Sequence, residues 1–518
     1  MFKEAGIAKG LMILLAAIPL AIFSGYFLAK GSFGGYALIF ILLLGLAFPL
    51  VMDKHYWVTV AAVNSTLLLP FFPGQPEIVL VMSAFTVFTL ILNRTMMKTT
   101  QMVWVPSVSY ALLAMAGILI ATAYLRGGIG GRALGSDLWG AKRYLGVLGA
   151  ILVYFALTSR TIPRRYALLS ATVFFASGLL SASSNVIFAL GEPFYFFFWF
   201  FPVKLATLQY QAQGEMVRLS GVTFAMWAVV FTLGVRYGIR GISDVTRPWR
   251  LILFLGAIAV SLLGGYRSSL VVIFFVFSFQ FLFEGLLRSR LLIVYTLLGM
   301  LGAVFLVAFI DQMPLSVQRS VSFLPIDIDP IAKMDAANTL DWRLQIWKTV
   351  LPEVPKYLLL GKGYSFSGTD YLLVQEAINR GAYNSYEHVL ISGNYHSGIL
   401  TILIPFGVWG MLAFLWFSWA GFRVLYQAFK NGPKELIQIN TFLLSFFCGY
   451  WVYYFFLYGQ FDLEFMKFAA VIGLSIALND GVWTRDRRAK ALEEEEDSED
   501  EDSDAQPSFG GPFGSLAG

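Results

Sequence analysis

Residues 394–410 read Asn-Tyr-His-Ser-Gly-Ile-Leu-Thr-Ile-Leu-Ile-Pro-Phe-Gly-Val-Trp-Gly, and they pass from a polar segment into an apolar one. The polar segment begins at Asp311, directly after an apolar run. The residues after Ser397 have the apolar composition of a membrane-spanning helix. This stretch therefore predicts that His396 lies at the junction between a large extramembrane loop and a spanning segment.

The composition excludes a soluble globular protein. Of 518 residues, 58% are hydrophobic and 13% are charged. Apolar runs of about 17–25 residues recur along the chain, each long enough to cross a bilayer. Cys448 is the only cysteine in the sequence, which excludes a disulfide framework and a thiolate metal site. Three histidines are too few for a histidine-rich metal site, and we expect no metal or other cofactor.

The apolar runs predict an all-α polytopic membrane protein with about 14 transmembrane helices and one large, partly helical extracytoplasmic loop. We expect the first run to be a retained anchor, because no small-residue cleavage site follows it. The predicted spans are Leu11–Ala29, Tyr36–Met52, Tyr56–Phe72, Ile78–Leu92, Met102–Leu125, Tyr144–Ser159, Tyr166–Ser184, Gly221–Tyr237, Leu251–Gly265, Ser268–Phe283, Leu291–Ile310, Ser397–Ala420, Ile437–Leu457 and Phe468–Asp480.

These spans divide the chain into four parts. Residues 1–310 carry helices 1–11, residues 311–396 form the large periplasmic loop with part of the candidate site, and residues 397–482 carry helices 12–14. Residues 483–518 form an acidic tail that we expect to be disordered. Basic residues recur in alternate loops, which places both termini in the cytoplasm and the large loop outside. The basic remainder of the chain indicates anionic lipid or phosphate partners, although topology arginines explain part of it.

The loop contains two predicted short helices. The first covers 340–351, with Asn338 or Thr339 as candidate N-caps, and the second covers 370–380 and is closed by Gly381. Two other patterns are weak: residues 327–329, Asp-Ile-Asp, have a carboxylate spacing that also arises by chance, and residues 361–363, Gly-Lys-Gly, lack the spacing of a P-loop.

His396 is the candidate general base. At the start of a helix, the positive end of the backbone dipole disfavours a protonated imidazole, so the ring is expected to be neutral near pH 7. A neutral imidazole can accept a proton from a hydroxyl group. The alternative is an interfacial histidine that makes a single hydrogen bond.

Two arginines lie at the same outer level as His396. Arg267 follows the short turn Gly264-Gly265-Tyr266, and Arg218 stands at the head of another span. A guanidinium at the membrane surface is costly unless it is paired or faces water, so such residues are functional candidates. Several guanidinium groups on one face can bind phosphate oxygens in a fork-like geometry. Snorkelling or an interhelical ion pair is the alternative for each.

The order of these motifs resembles the O-antigen ligase family. His396 and Ser397, nine residues, and then Gly-Val-Trp-Gly at 407–410 are similar to the outer-loop signature of that family. The segments Arg-Leu-Ser-Gly at 218–221, Gly-Tyr-Arg-Ser at 265–268, Arg-Leu-Gln-Ile-Trp at 343–347 and Gly-Lys-Gly at 361–363 follow the rest of its layout. Leu270 comes one residue earlier than in the family pattern, and fourteen spans exceed the usual twelve, so ligase and polymerase both stay open.

The resemblance implies a metal-independent, inverting glycosyltransferase. Its donor would be an oligo- or polysaccharide on undecaprenyl diphosphate, and its acceptor a glycolipid at the periplasmic face of the bacterial inner membrane. His396 would deprotonate the acceptor hydroxyl, while Arg218 and Arg267, together with Arg343, would hold the diphosphate. The partners would be these lipid-linked substrates and membrane lipids, with no nucleic acid. A polymerase of the same superfamily and a non-enzymatic transporter of lipid-linked glycans are the alternatives.

Overall fold

The computed structural model of the protein describes residue 25 and residues 54–72, 74–96, 102–131, 136, 138–207, 217–381, 388–491 and 493. Most of these residues are helical. Two short strands, β1 (Leu138–Trp139) and β2 (Phe366–Ser367), pair antiparallel with Leu138 opposite Ser367. In chain order the helices are α1 (54–62), α2 (Ile78–Met96), α3 (Pro106–Leu125), α4 (Ala141–Leu157), α5 (Arg164–Ala176), α6 (Ser183–Leu190), α7 (Lys204–Thr207), α8 (Ser220–Ile242), α9 (Trp249–Ser261), α10 (Arg267–Phe283), α11 (Arg290–Phe309), α12 (Leu315–Ser320), α13 (Pro330–Val350), α14 (Val354–Tyr357), α15 (Gly368–Asn379), α16 (His388–Ser392), α17 (Leu400–Asn431), α18 (Ile437–Phe456), α19 (Phe461–Leu478) and α20 (485–491). The 3-10 helices are Ser177–Ala182, Glu192–Trp199, Leu262–Gly264, Ile310–Gln312, Leu351–Glu353 and Lys434–Leu436.

Seven helical segments among the described residues are long and apolar enough to span a membrane. Two more, α9 with its 3-10 extension and α10, are apolar but shorter. The prediction of an all-α polytopic membrane protein is therefore confirmed. The seven segments are Ile78–Met96, Pro106–Leu125, Arg164–Leu190, Ser220–Ile242, Arg290–Gln312, Leu400–Asn431 and Lys434–Phe456.

Most of the predicted spans correspond to helices of the structure. Leu11–Ala29 and Tyr36–Met52 lie outside the described residues, and Tyr56–Phe72 is wrong beyond residue 62, where α1 ends. After that point Leu68 pairs with Glu77 in an isolated antiparallel bridge. Pro70 lacks the N–H that a continuing helix requires. The remaining predicted spans each overlap a described helix, with ends shifted by several residues.

Ordered structure extends past the predicted boundary between the last span and the tail. Trp483 is buried, and its indole donates to the carbonyl of Asn479 at 2.8 Å. Arg487 then donates to the carbonyl of Asp480 at 2.7 Å and lies over the Trp483 ring. These contacts order residues up to α20, so the predicted disorder does not begin at residue 483.

The first of the two predicted loop helices begins earlier in the structure than the sequence predicted. α13 begins at Pro330, because the Asp329 carboxylate accepts a hydrogen bond from the Ile331 backbone at 2.8 Å and proline suits the first helical position. The predicted caps Asn338 and Thr339 therefore lie inside the helix. The second predicted helix is confirmed as α15, which starts from a Ser367 capping box.

The bundle is held together by close packing of large aromatic side chains. Phe414, Phe442 and Tyr454 are among the fully buried ones. Within a bilayer, contact between helices rather than exclusion of water drives their association. Small residues allow close approach: a Cβ atom at Gly449 of α18 would lie 2.6 Å from the Val276 backbone of α10.

Two small clusters attach α13 to the bundle and thereby position the candidate site. Near the start of α13, Ala332 packs in a cluster with Leu270 of α10. Near its end, Ile346 packs in a second cluster with Tyr395, just before α17. α10 begins with a predicted site arginine and Tyr395 precedes the predicted histidine, so α13 bridges these two distant parts of the sequence.

Candidate active site

His396 is held in place by aromatic rings. Its ring centroid lies 4.7 Å from that of Trp342 on α13, in an edge-to-face arrangement, and 5.2 Å from that of Tyr458. Its backbone is left-handed (φ 50°), a conformation that residues other than glycine rarely adopt. The buried Nδ1 has no hydrogen-bond partner among the described residues. Packing, rather than a hydrogen-bonded carboxylate, therefore orients the imidazole.

The imidazole of His396 is strongly disposed to be neutral. Burial, and after it the positive charge of Arg343, lower the pKa of His396 from 6.5 to about 4. α17 begins only at Leu400, so His396 is not at the start of a helix as predicted. The expected neutral state is present, but the predicted cause was wrong. The neutral state comes from burial and from Arg343, which lies far from His396 in the sequence, instead of from the end of a neighbouring helix.

Arg343 lies beside His396. Its guanidinium carbon is 5.9 Å from the centroid of the Tyr458 ring, the same ring that contacts the histidine. Its Nη1 donates to the carbonyl of Leu457 at 3.4 Å, and its buried Nε has no partner within the described chain. Burial lowers the pKa of Arg343, while Tyr453 and Tyr458 raise it. The structure thus brings this predicted arginine and the predicted base together around one tyrosine.

The other two predicted arginines lie at the turn between α9 and α10. The Arg218 Nε donates to the carbonyl of Gly264 at 3.2 Å, and the guanidinium stacks on Tyr266 at 4.7 Å. The Arg267 Nη2 donates to the carbonyl of Ala336 on α13 at 2.8 Å. Arg267 is also close enough to Arg343 for their charges to interact. The three arginines and His396 therefore meet at one end of the bundle.

A fourth arginine, which sequence reasoning missed, lies at the centre of this group. Arg319 on α12 is 5% exposed, pairs with Asp335, and donates to the Gly265 carbonyl and to Thr339. Its charge acts on each of the three predicted arginines. Arg319 is the only charged residue between Asp311 and Asp327 in the sequence. Its isolation among uncharged residues could have identified it as a candidate site residue.

The arginine cluster, defined as Arg218, Arg267, Arg319 and Arg343, carries excess positive charge. Asp335 pairs with Arg319, whereas the other three form no ion pair within the described part of the chain. Guanidinium groups held close together and partly desolvated repel one another. A bound polyanion such as a diphosphate would relieve this repulsion through charge-assisted hydrogen bonds. The site can therefore bind an anionic group beside a neutral imidazole.

The carboxylates near this site serve structural roles. Asp329, from the weak Asp-Ile-Asp pattern, caps α13, and Asp335 holds Arg319. Within the residues that the structure covers, no group of three or more histidine, cysteine, aspartate or glutamate side chains is arranged to hold a metal ion. The positive charge of this site comes from arginine side chains.

The comparison with protein families agrees with the motifs. A family model described as O-antigen ligase matches residues 220–415 of this chain. The matched residues include Arg267, Arg343 and His396, and Arg218 lies two residues before them. No curated protein matches the chain significantly. The resemblance that the sequence motifs indicate is thus confirmed over this segment, which contains most of the site.

Proposed function

We propose that this protein is a membrane glycosyltransferase of the O-antigen ligase type. It moves an oligo- or polysaccharide from undecaprenyl diphosphate to an acceptor glycolipid at the periplasmic face of the bacterial inner membrane. The observation that carries this proposal is the meeting of one neutral histidine with three arginines that form no ion pair with any described residue, contributed by four separate segments. A diphosphate-linked donor suits this arrangement, because its charge lies next to the bond that must break.

The chemistry is a single displacement. His396 accepts the proton of an acceptor hydroxyl, and that oxygen attacks the anomeric carbon of the donor sugar. The new glycosidic bond forms as the bond from the anomeric carbon to the diphosphate oxygen breaks, so the configuration inverts. The electron pair of the broken bond stays on the diphosphate. The proton then leaves the imidazolium for solvent.

The arginine cluster stabilises the leaving group. The diphosphate gains negative charge as its bond to sugar breaks, and fixed guanidinium groups that face this charge lower the barrier. Arg218, Arg267 and Arg343 contact the diphosphate in this proposal, and Arg319 positions them through Gly265 and α13. The cluster supplies the positive charge that the leaving diphosphate requires.

Binding of the donor would also activate His396. The positive charge of Arg343 contributes to the lowered pKa of the imidazole. A diphosphate bound at Arg343 offsets that charge, and the pKa of His396 rises towards its ordinary value. The ring is then a stronger base when the donor is present. In the empty site its low pKa limits proton uptake.

A transfer assay tests this function. Purified full-length protein is mixed with undecaprenyl-diphosphate glycan and a glycolipid acceptor, with and without a chelator, and the product is followed by mass. We expect product in both cases, and a rate loss of about 10²–10⁴-fold for His396→Ala. His55→Ala is the matched control, because His55 is a buried histidine that contacts Thr86 instead of the arginine cluster.

The outcomes separate the alternatives. Turnover by His396→Ala at the wild-type rate would remove the histidine from the mechanism. Product formed only when a second lipid-linked glycan is the acceptor would identify a polymerase. Transport of the lipid-linked glycan across vesicles without a new glycosidic bond would show that the protein is a transporter.

A further inference from the structure

A separate cavity of about 150 Å³ is lined in part by Tyr395, the residue that directly precedes His396 in the sequence. Its walls come from the start of α4, the 362–366 segment, and residues around α16. Gly393 and Tyr395 form part of the wall, and Tyr395 directly precedes the histidine. The Trp347 indole donates to the Tyr395 carbonyl at 3.0 Å, which fixes this wall. Its volume is comparable with that of one monosaccharide, and its lining residues do not include the arginine cluster.

Two cationic side chains line this cavity. Lys362 donates to the Leu390 carbonyl at 2.5 Å, and its ammonium keeps two further N–H groups. The Arg143 Nε forms an ion pair with the Asp462 carboxylate at 3.6 Å, a distance longer than that of a good hydrogen bond. The Asp370 carboxylate also lines the cavity, but it accepts a hydrogen bond from the Ser367 backbone in the capping box of α15. The cavity therefore presents two cationic groups beside one carboxylate, and the Lys362 ammonium retains free donor capacity.

Tyr364, another residue of the cavity wall, carries a buried hydroxyl group without a partner in the described part of the chain. Tyr364 is 6% exposed, and its hydroxyl has no hydrogen-bond partner among the residues described. The Arg143 guanidinium lies 5.5 Å from the centre of the Tyr364 ring. Buried hydroxyl groups are normally hydrogen-bonded, because leaving one unpaired costs free energy. A ligand oxygen in the cavity would satisfy it.

The backbone is shaped to let Arg143 reach this position. Gly393 has a left-handed backbone (φ 60°), and a Cβ atom there would lie 2.3 Å from the Arg143 Nη1. A side chain at residue 393 would therefore displace the guanidinium. The Arg143–Lys362 pocket, defined by Arg143, Lys362, Tyr364, Gly393 and Tyr395, is thus a built site with two cations and one unpaired hydroxyl.

We propose that the Arg143–Lys362 pocket binds an anionic sugar unit of the acceptor, one that carries a phosphate or a carboxylate group. This inference rests on the proposed function, because it assigns the donor diphosphate to the arginine cluster and the acceptor to this pocket. The sugar's anionic group pairs with Lys362 and Arg143, and one of its oxygens pairs with Tyr364. Tyr395 lines this pocket and directly precedes His396 in the sequence, which connects the pocket to the candidate base.

Binding of model sugars tests the pocket without any turnover. Glucose 6-phosphate, glucuronate and glucose are titrated into the purified full-length protein in detergent, and heat is measured. We expect one of the two anionic sugars to bind at least about 10-fold more tightly than glucose. Lys362→Met should remove that preference, and Tyr364→Phe should weaken it without breaking any existing hydrogen bond. Lys356→Met is the matched control, because Lys356 is exposed and pairs with Glu353.

Each outcome decides a separate point. A preference for glucose 6-phosphate assigns a phosphorylated acceptor, and a preference for glucuronate a carboxylated one. Equal binding of all three sugars, or a preference that survives both Lys362→Met and Tyr364→Phe, would overturn the proposal. Lys362-dependent binding in a protein that transfers no glycan would leave the pocket in place and reject the enzyme. Glycan transfer that needs His396 but shows no Lys362-dependent binding would reject the pocket alone.

Discussion

At the scale of single residues, the site combines a weakly basic imidazole with concentrated positive charge. His396 packs between Trp342 and Tyr458, and its Nδ1 has no partner among the described residues. A base oriented by a carboxylate gains basicity from that negative charge, whereas His396 has Arg343 beside it. The imidazole is consequently poor at holding a proton until an anion arrives.

This arrangement predicts an unusual pH dependence. His396 must be neutral to accept a proton, and its pKa in the free protein is about 4, so kcat/KM should fall only as the pH drops towards 4. The profile of kcat reports the complex with donor, in which the diphosphate offsets Arg343, so its acid limb should lie at higher pH. Steady-state rates of transfer over a series of buffers measure both limbs. An acid limb of kcat/KM near the ordinary value of 6.5 would contradict the buried, neutral imidazole.

At the scale of elements, a kink in α17 creates the docking point for the loop that precedes the site. Gly407 has a left-handed backbone (φ 66°) inside the helix. The backbone groups around the kink pair with the 358–363 segment: the Val408 N–H donates to Leu358 at 2.7 Å, and the Ile404 carbonyl accepts from Lys362 at 2.7 Å. This pairing gives the Gly-x-x-Gly and Gly-Lys-Gly motifs a common structural role.

Replacement of Gly407 should therefore uncouple the loop from the helix. In Gly407→Ala the backbone conformation (φ 66°, ψ −165°), which is essentially restricted to glycine, costs about 1–3 kcal/mol. The added Cβ would also lie 2.7 Å from the Leu358 carbonyl oxygen. We expect a lower melting temperature and a loss of transfer activity that exceeds the loss of folded protein, because the 358–363 segment also supplies Lys362 and Gly363 to the wall of the Arg143–Lys362 pocket.

Gly256→Ala on α9 is the control for this variant. No heavy atom lies within 4 Å of a Cβ built at Gly256, so its melting temperature should stay the same or rise slightly. Thermal unfolding in detergent and the transfer assay measure both variants. Equal behaviour of the two alanine variants would show that the kink does not depend on Gly407.

At the scale of the whole molecule, the polar machinery is concentrated at one end of an apolar bundle. The arginine cluster and the Arg143–Lys362 pocket meet the loop helices there, whereas Trp483 and α20 lie past the opposite end of α19. Lipid-linked substrates diffuse in the plane of the bilayer, so a site at the membrane surface can receive both donor and acceptor. The proposal requires this end to face the periplasm.

Cysteine labelling tests that orientation. Cys448 is the only cysteine in the sequence, so Cys448→Ala provides a cysteine-free background. In it, Asn379→Cys on the exposed face of α15 should react with a membrane-impermeant maleimide in intact spheroplasts. Lys490→Cys, on exposed α20, should react only after lysis. The reverse pattern would place the arginine cluster in the cytoplasm and exclude a periplasmic transfer reaction.

The sequence by itself determined the class of fold and indicated most of the candidate site residues. Hydropathy is a property of consecutive residues, so the spanning helices were predictable, and they appear with shifted ends. His396, Arg218, Arg267 and Arg343 stood out because charged or titratable groups at the edges of apolar runs are costly and uncommon. Local patterns misjudged 63–72, where the helix has ended at residue 62 and a turn and the bridge at Leu68 follow in spite of the apolar composition.

Only the tertiary structure decided which of these residues act together and in what charge state. Arg319 became significant through Gly265 and through Asp335 and Thr339 of α13, which come from two other places in the sequence. The low pKa of His396 arises from burial and Arg343, and the Arg143–Lys362 pocket joins residues more than two hundred positions apart. Desolvation and charge–charge interaction depend on distance in space, and folding of the bundle sets that distance.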